Sequence, residues 1–310
     1  MPARDDALHP EVAEALERGG PVVALESTLI AHGLPRPTNL EVARRAEQEV
    51  RAAGAVPATI AVIGGRLRIG LSDAELDRLA GRDGVLKAGR RDLAPAISAG
   101  RDAATTVSAT LWIARRAGIP VFATGGLGGV HRGAAESFDI STDLDELARA
   151  DGCLVVCSGA KTILDLPATL EALETRGVLV VGYRTGEWPA FTERGSGLPL
   201  EHRVESAEQA AALVAAHRSL GVPGAVVLAQ PVPEAEAVAA GRMESGLSSA
   251  LAEARRRKIV GKALTPFLLG RIHEGSGGES LTANAALIVE NAALAARVAV
   301  RLSEREESGR

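Results

Sequence analysis

The 310 residues carry 46% apolar and 24% charged side chains, the balance of an ordinary globular protein rather than a disordered or fibrous chain. A net charge of −4 gives no electrostatic footing for a nucleic-acid polymer, whose binders gather basic patches, and no run approaches the ~18 apolar residues of a membrane span. Aromatics make up only 2%, so the core must be built of Ala, Val, Leu and Ile, which suits helices packed closely on a parallel sheet.

In chain order, residues 1–10 are polar, show no apolar targeting segment, and with 304–310 are expected to be loose ends. PVVALES (21–27) predicts a first buried strand, and LEVARRAEQEVRAAG (40–54) an amphipathic helix stopped by Gly54. TIAVIGG (59–65) and RLRIG (66–70) predict a hairpin or adjacent strands about Gly64-Gly65. Ser72 stands three residues before Glu75 at the head of LSDAELDRLA (71–80), a capping-box spacing. RDAATTVSATLWIARRAG (101–118) reads as a helix and IPVFAT (119–124) as a strand. STDLDELARA (141–150) opens on an N-cap serine, and CLVVCS (153–158) is the next strand. The alternation continues to residue 231, after which 234–257 and 280–304 read as helices. Such alternation predicts a largely parallel sheet with helices on both faces, and no linker divides the chain, so 1–310 reads as one domain.

Cys153 and Cys157 are four residues apart on a predicted strand, roughly 13 Å, too far for a disulfide and poorly spaced for zinc. They read as core thiols in a reducing cytoplasm.

Ligands of α/β sheets sit beyond the carboxyl ends of strands, and four such ends carry polar residues. Glu26-Ser27-Thr28 follows the first strand, Lys87-Ala88-Gly89 follows Val85-Leu86, GGLGGVHRG (125–133) follows IPVFAT, and Gly159-Ala160-Lys161 follows CLVVCS. The glycine-rich run fits neither the Walker pattern nor G-x-G-x-x-G. It can bring backbone N–H groups to an anion, with charge from His131 or Arg132, or be a flexible turn. Beyond it, Asp139 and Asp143 flank Ser141. Their oxygens suit a hard cation such as Mg²⁺ or Mn²⁺, whereas Ser141 as a helix cap with Asp143 in the first turn is the better reading of that pair. Asp139 lies before the cap.

Only four lysines, Lys87, Lys161, Lys258 and Lys262, stand against 31 arginines. Lysine, unlike arginine, can lose its proton when buried. Lys161, after a buried strand, would be partly desolvated and free to attack a carbonyl. Lys258 and Lys262 flank an arginine run and read as a solvated face. Glu26 is either a general acid with a raised pKa or a carboxylate bonded to loop amides. His9, His202 and His217 read as surface residues.

Assembled in order, ALESTLIAHGLPRP (24–37), TGGLGGVHRGAAESFDISTDL (124–144), SGAKTILD (158–165), GKALTPFLL (261–269) and SLTANAALIVENA (280–292) resemble the pseudouridine-5′-phosphate glycosidases, a family that includes indigoidine-synthase-A-like proteins. The resemblance spans nearly the whole chain. It implies an α/β/α sandwich with a helical C-terminal region, assembled as a cytoplasmic homotrimer with one Mn²⁺ per subunit. It also implies reversible cleavage of pseudouridine 5′-phosphate to uracil and ribose 5-phosphate. By motif match Glu26 is the proton donor, Lys161 the nucleophile and Asp139 the metal residue. Lys87, Val107, His131, Ser141, Thr142, Asp143 and Asn284 contact substrate. Gly186, Thr192 and Glu290 depart from the family pattern, which expects Asp, Tyr and Asn there. Competing readings are a synthase that joins ribose 5-phosphate to a uracil-like acceptor, a Schiff-base sugar-phosphate aldolase and a non-catalytic sugar-phosphate sensor.

Overall fold

The computed structural model describes residues 7–259 and 261–308. Residues 1–6 and 309–310 of the expected loose ends lie outside them. The remainder of both ends belongs to regular structure: Leu8 bridges to Ile69, Pro10 opens the first helix, and 304–308 complete the last one.

Among the described residues ten strands form one mixed, mostly parallel sheet flanked by helices. In chain order they are β1 (Val22–Leu25), β2 (Val56–Ile63), β3 (Arg66–Ile69), β4 (Leu86–Ala88), β5 (Ala103–Thr105), β6 (Val121–Ala123), β7 (Leu154–Cys157), β8 (Leu179–Tyr183), β9 (Arg203–Val204) and β10 (Val226–Ala229). The first helices are α1 (Pro10–Glu17), α2 (Thr38–Ala52), α3 (Asp73–Gly81), α4 (Leu93–Ser98), α5 (Val107–Arg116) and α6 (Ala134–Ser137). They are followed by α7 (Thr142–Leu147), α8 (Leu166–Thr175), α9 (Ala207–Ser219), α10 (Arg242–Arg256), α11 (Leu264–Gly275) and α12 (Glu279–Ser308). The spatial order is β4-β5-β2-β1-β6-β7-β10-β8-β9, with β3 also on β2. Strands β1, β7 and β10 are buried at every residue, which is why they read as unbroken apolar runs.

The hairpin at Gly64-Gly65 is present: β2 and β3 pair antiparallel, and both glycines take positive φ, 56° and 75°, as a type I′ turn requires. The Ser72–Glu75 capping box is formed on α3.

Residues 101–118 are not one helix. Ala103–Thr105 form β5, and the helix begins only at Val107. Asp102 explains the break, because its buried carboxylate accepts Gly64 N–H at 2.7 Å and the guanidinium groups of Arg78 and Arg82 at 2.8–2.9 Å. That anchor lays the next three residues between β2 and β4 and overrides their helical preference. Likewise 234–257 is α-helical only over Arg242–Arg256, after Gly241 at φ 75°, with a single 3-10 turn at Glu234–Glu236 before it. Sequence reading missed α11 and the π-helical turn Leu29–Gly33.

Direction matters as much as order. Along β2, Leu25 of β1 is level with Thr59, whereas β5 runs the opposite way and pairs at Ala61↔Ala104. β4 runs with β5. The carboxyl ends of β4 and β5 therefore arrive head-on at the level where β1 ends. Ser27 closes the seam, donating to Ile60 O at 2.6 Å and accepting Thr105 N–H at 2.9 Å. On the other side α12 crosses β1, β6 and β7 and packs against α2 and α9.

Candidate active site

A cavity of about 350 Å³ opens where the strand directions reverse, and it gathers every site residue expected from the sequence: Glu26, Lys87, Val107, His131, Asp139, Ser141, Thr142, Asp143, Lys161 and Asn284. Gly261, Thr265, Pro266 and Leu269, from the start of the C-terminal helical region, cover it, and Ile288 of α12 lies beside Asn284 on its wall.

Glu26 follows β1 and is 6% exposed. Its carboxylate accepts hydroxyl hydrogen bonds from Thr28 and from Thr124, the residue after β6. Its partners are thus two hydroxyls, and no described loop amide donates to it. Lys161 is carried by the segment after β7. That segment is stitched to the glycine loop by Leu127 N–H to Gly159 O at 2.9 Å and Lys161 N–H to Leu127 O at 3.1 Å. Lys87 sits inside β4 rather than after it.

The glycine loop is neither a flexible turn nor an open anion cradle. A Cβ on Gly128 would stand 2.3 Å from Ser141 Oγ and 2.6 Å from Asp143 Oδ2, and one on Gly126 would stand 2.7 Å from the Phe191 ring. The glycines are required by close packing. Asp143, 6% exposed, spends both oxygens on backbone, accepting Ser108 N–H and Gly128 N–H at 2.9 Å each. Ser141 caps α7 through Asp143 N–H, as its spacing predicts, and the Thr142 hydroxyl donates to Ser108 Oγ at 3.2 Å. Arg132 points away: its guanidinium forks onto Glu244 of α10 at 2.6 and 3.0 Å.

His131 has its pKa lowered below 6.5, first by burial and then by the Lys87 and Lys161 cations, with Asp139 opposing. It is therefore a neutral imidazole near pH 7 and adds no fixed charge. His32, which sequence reading passed over, also lines the cavity, its pKa lowered by burial and by Lys87. Its Nε2 is buried without a partner. Phe191, at φ 64° and 2% exposed, is a second wall residue not foreseen. His32 lies within a motif already singled out, whereas Phe191 had no local signal.

Among the described residues no three His, Cys, Asp or Glu side chains gather to hold a metal. No described side chain donates to the Asp139 carboxylate. One uncommitted carboxylate facing a cavity fits a hard cation that keeps most of its water shell, and does not fit a dehydrated, protein-caged ion.

Of the departures from the family pattern, Gly186 and Glu290 are exposed and Thr192 is buried behind the cavity wall; none of the three lines the cavity. Lys258 is exposed, and the side chain of Lys262 lies outside the described residues. His217 is buried, not a surface residue, at 7% exposure. Both cysteines are unpaired core thiols, as expected. No helix among the described residues is long and apolar enough to cross a membrane.

Residues 11–301 match the family model described as indigoidine synthase A like protein. The chain is 54% identical to a pseudouridine-5′-phosphate glycosidase of Methylobacterium nodulans, covering 97% of this chain and 89% of that one. It is 52% identical to another from Caldanaerobacter subterraneus, covering 96% of each. Among solved structures, the prealnumycin C-glycosynthase in complex with ribulose 5-phosphate is similar at a TM-score of 0.88 and 40% identity, covering 97% of this chain and 98% of that one. An indigoidine synthase A-like protein from Thermotoga maritima is similar at 0.86 and 38% identity, covering 92% and 94%.

Proposed function

The chain belongs to the indigoidine synthase A-like protein family, and from that premise we propose that it is an enzyme cleaving the C–C glycosidic bond of pseudouridine 5′-phosphate, reversibly, to uracil and ribose 5-phosphate. One observation carries the reading: Glu26 and Lys161, delivered by different strands, line one cavity together with Lys87, His131 and Asn284. Relatives bearing that enzyme name are 54% and 52% identical to this chain over the aligned residues.

A C–C glycoside offers no heteroatom leaving group, so protonating it does not release the base. Glu26, held by Thr28 and Thr124, gives its proton to the ribose ring oxygen as the C1′–O4′ bond opens. The Lys161 nitrogen bonds to C1′, giving up a proton as it does so. A proton then adds at C5 of the uracil as the C1′–C5 bond breaks. The bonding pair restores the C5–C6 double bond, and the Lys161 nitrogen lone pair closes an imine to C1′. Water hydrolyses the imine, so substrate plus water balances uracil plus ribose 5-phosphate. Lys87 offers a cation to the phosphate, neutral His131 a hydrogen bond to the sugar phosphate, and Asn284 an amide to the base edge. Ser141, Thr142 and Val107 shape the wall beside Asp143. Asp139 is the residue that would hold the Mn²⁺, one per subunit. Bound there, the ion would supply positive charge to the substrate's oxygens.

The deciding experiment follows uracil release from pseudouridine 5′-phosphate with Mn²⁺, with and without EDTA. Release that EDTA abolishes is expected; a folded, metal-supplied protein that releases none overturns the reading. The similarity to a C-glycosynthase favours a second reading, in which the same cavity joins ribose 5-phosphate to another acceptor; product profiling separates the two. The proposal includes a homotrimer, supported by the family resemblance and tested by sedimentation. It also includes a cytoplasmic location, with which two unpaired buried thiols agree.

A further inference from the structure

Asn291 lies on α12, fully buried at 0% exposure, where that helix crosses the strand ends. Its side-chain nitrogen donates to Thr124 O at 2.9 Å and to the Ser158 hydroxyl at 3.1 Å, and its Oδ1 accepts from Gln230 Nε2 at 3.2 Å. Those partners are the residues directly after β6, β7 and β10, which are neighbours in the sheet. One primary amide therefore ties three adjacent strand ends together.

Two of these bonds lead on to the reacting groups. The Thr124 hydroxyl donates to the Glu26 carboxylate. Ser158 opens the short segment that ends at Lys161, and its N–H is bonded to Gly125 O at 2.9 Å. Two helical turns before Asn291, on the same side of α12, is Asn284, about 10 Å along the axis. The same anchor thus fixes how far Asn284 reaches into the cavity.

We infer that Asn291 is a positioning residue that sets Glu26 against Lys161, acting through Thr124 and Ser158; the inference rests on the glycosidase reading. The chemistry demands an amide. The Thr124 carbonyl and the Ser158 hydroxyl each take a donor and Gln230 takes an acceptor, and only the amides of Asn and Gln offer two N–H donors and an acceptor on one side chain. A carboxylate would set two oxygen acceptors face to face, and an alkyl group would leave both partners unsatisfied.

The test is Asn291→Asp in the full-length protein, read by uracil release and by the rate at which borohydride traps ribose 5-phosphate on Lys161. Misplacement of the reacting groups predicts a fall of at least about tenfold in kcat and in trapping, with KM changed less than about threefold. In a Thr124→Val background the same substitution should cost less than it does alone, because the link from Thr124 to Glu26 is already cut while the Ser158 link to the Lys161 segment remains. Unchanged kcat and trapping with only a lowered melting temperature, or full additivity with Thr124→Val, overturns the inference. Should Asn291→Asp fail to fold, Gln230→Leu keeps Asn291 but lets its amide turn, and unchanged kcat there overturns it equally. A wild type that traps ribose 5-phosphate but releases no uracil overturns the glycosidase reading and leaves the trapping rates to decide on Asn291. A wild type that does neither overturns both.

Discussion

The Asp143 carboxylate accepts the Gly128 amide at 2.9 Å, and a Cβ on Gly128 would stand 2.6 Å from that same carboxylate. The glycine and the aspartate therefore require each other. The second Asp143 oxygen holds Ser108 N–H at the start of α5, so one buried side chain fastens the glycine loop and an element of the reversed half of the sheet to α7.

Asp143→Asn tests that fastening. Asparagine keeps one acceptor but turns an NH₂ toward a backbone N–H, leaving a buried donor unmatched at a cost of about 1–3 kcal/mol. Gly128→Ala should be at least as damaging, since backbone and Ser141 must both give way. Both variants should melt earlier and lose on the order of a hundredfold in kcat, read by thermal denaturation beside the uracil assay. Wild-type stability in Asp143→Asn would mean that these two hydrogen bonds do not organise the loop.

Lys161→Ala should abolish turnover yet bind substrate. Lys87, His131 and Asn284 line the cavity from other elements, and the Lys161 backbone bonds to Leu127 do not involve its side chain. Borohydride with ribose 5-phosphate should give a mass adduct on the wild type and none on this variant. An adduct persisting in Lys161→Ala would move the nucleophile to another amine.

Much of this site was legible before the structure, and the reason is local. Glu26 directly follows, and Lys161 follows after a short Ser-Gly-Ala loop, runs so apolar that they can only be buried strands, and the Ser72–Glu75 and Ser141–Asp143 spacings are written within one helical turn. What was not legible is non-local. Nothing in AATT (103–106) says that Asp102 will be pinned by two arginines, or that the strand so formed will run against β1. Asn291 reads as one more polar residue on a helix until three strand ends converge on it. His217 was misplaced at the surface because its alanine-rich helix shows no clear polar face.

Cys153 and Cys157 should be unreactive in the native protein. Burial pushes the Cys153 thiol up to about 11 and the Cys157 thiol up to about 12, and only the thiolate attacks. With a disulfide-exchange reagent at pH 8, no thiol should titrate until denaturant is added, after which both should. A fast-reacting native thiol would contradict the packing around β7.

Acid should destabilise the fold through its buried histidines, and His217 isolates the effect. Burial and the Arg218 cation lower its pKa below 6.5, with Asp151 opposing, and neither ring nitrogen has a hydrogen-bond partner. The folded state therefore favours the neutral ring. Between the lowered folded value and the unfolded value of 6.5, the unfolded chain binds more protons, so stability falls as pH drops through that window. His32, His131 and His273 are lowered too, each mainly by burial, so the slopes add. Each contributes at most about 1.4 kcal/mol per pH unit. Melting temperatures measured from pH 7.5 to 5.5 should fall for the wild type and fall less steeply for His217→Gln, which cannot take up a proton. Equal slopes would show that His217 escapes its buried position before it charges.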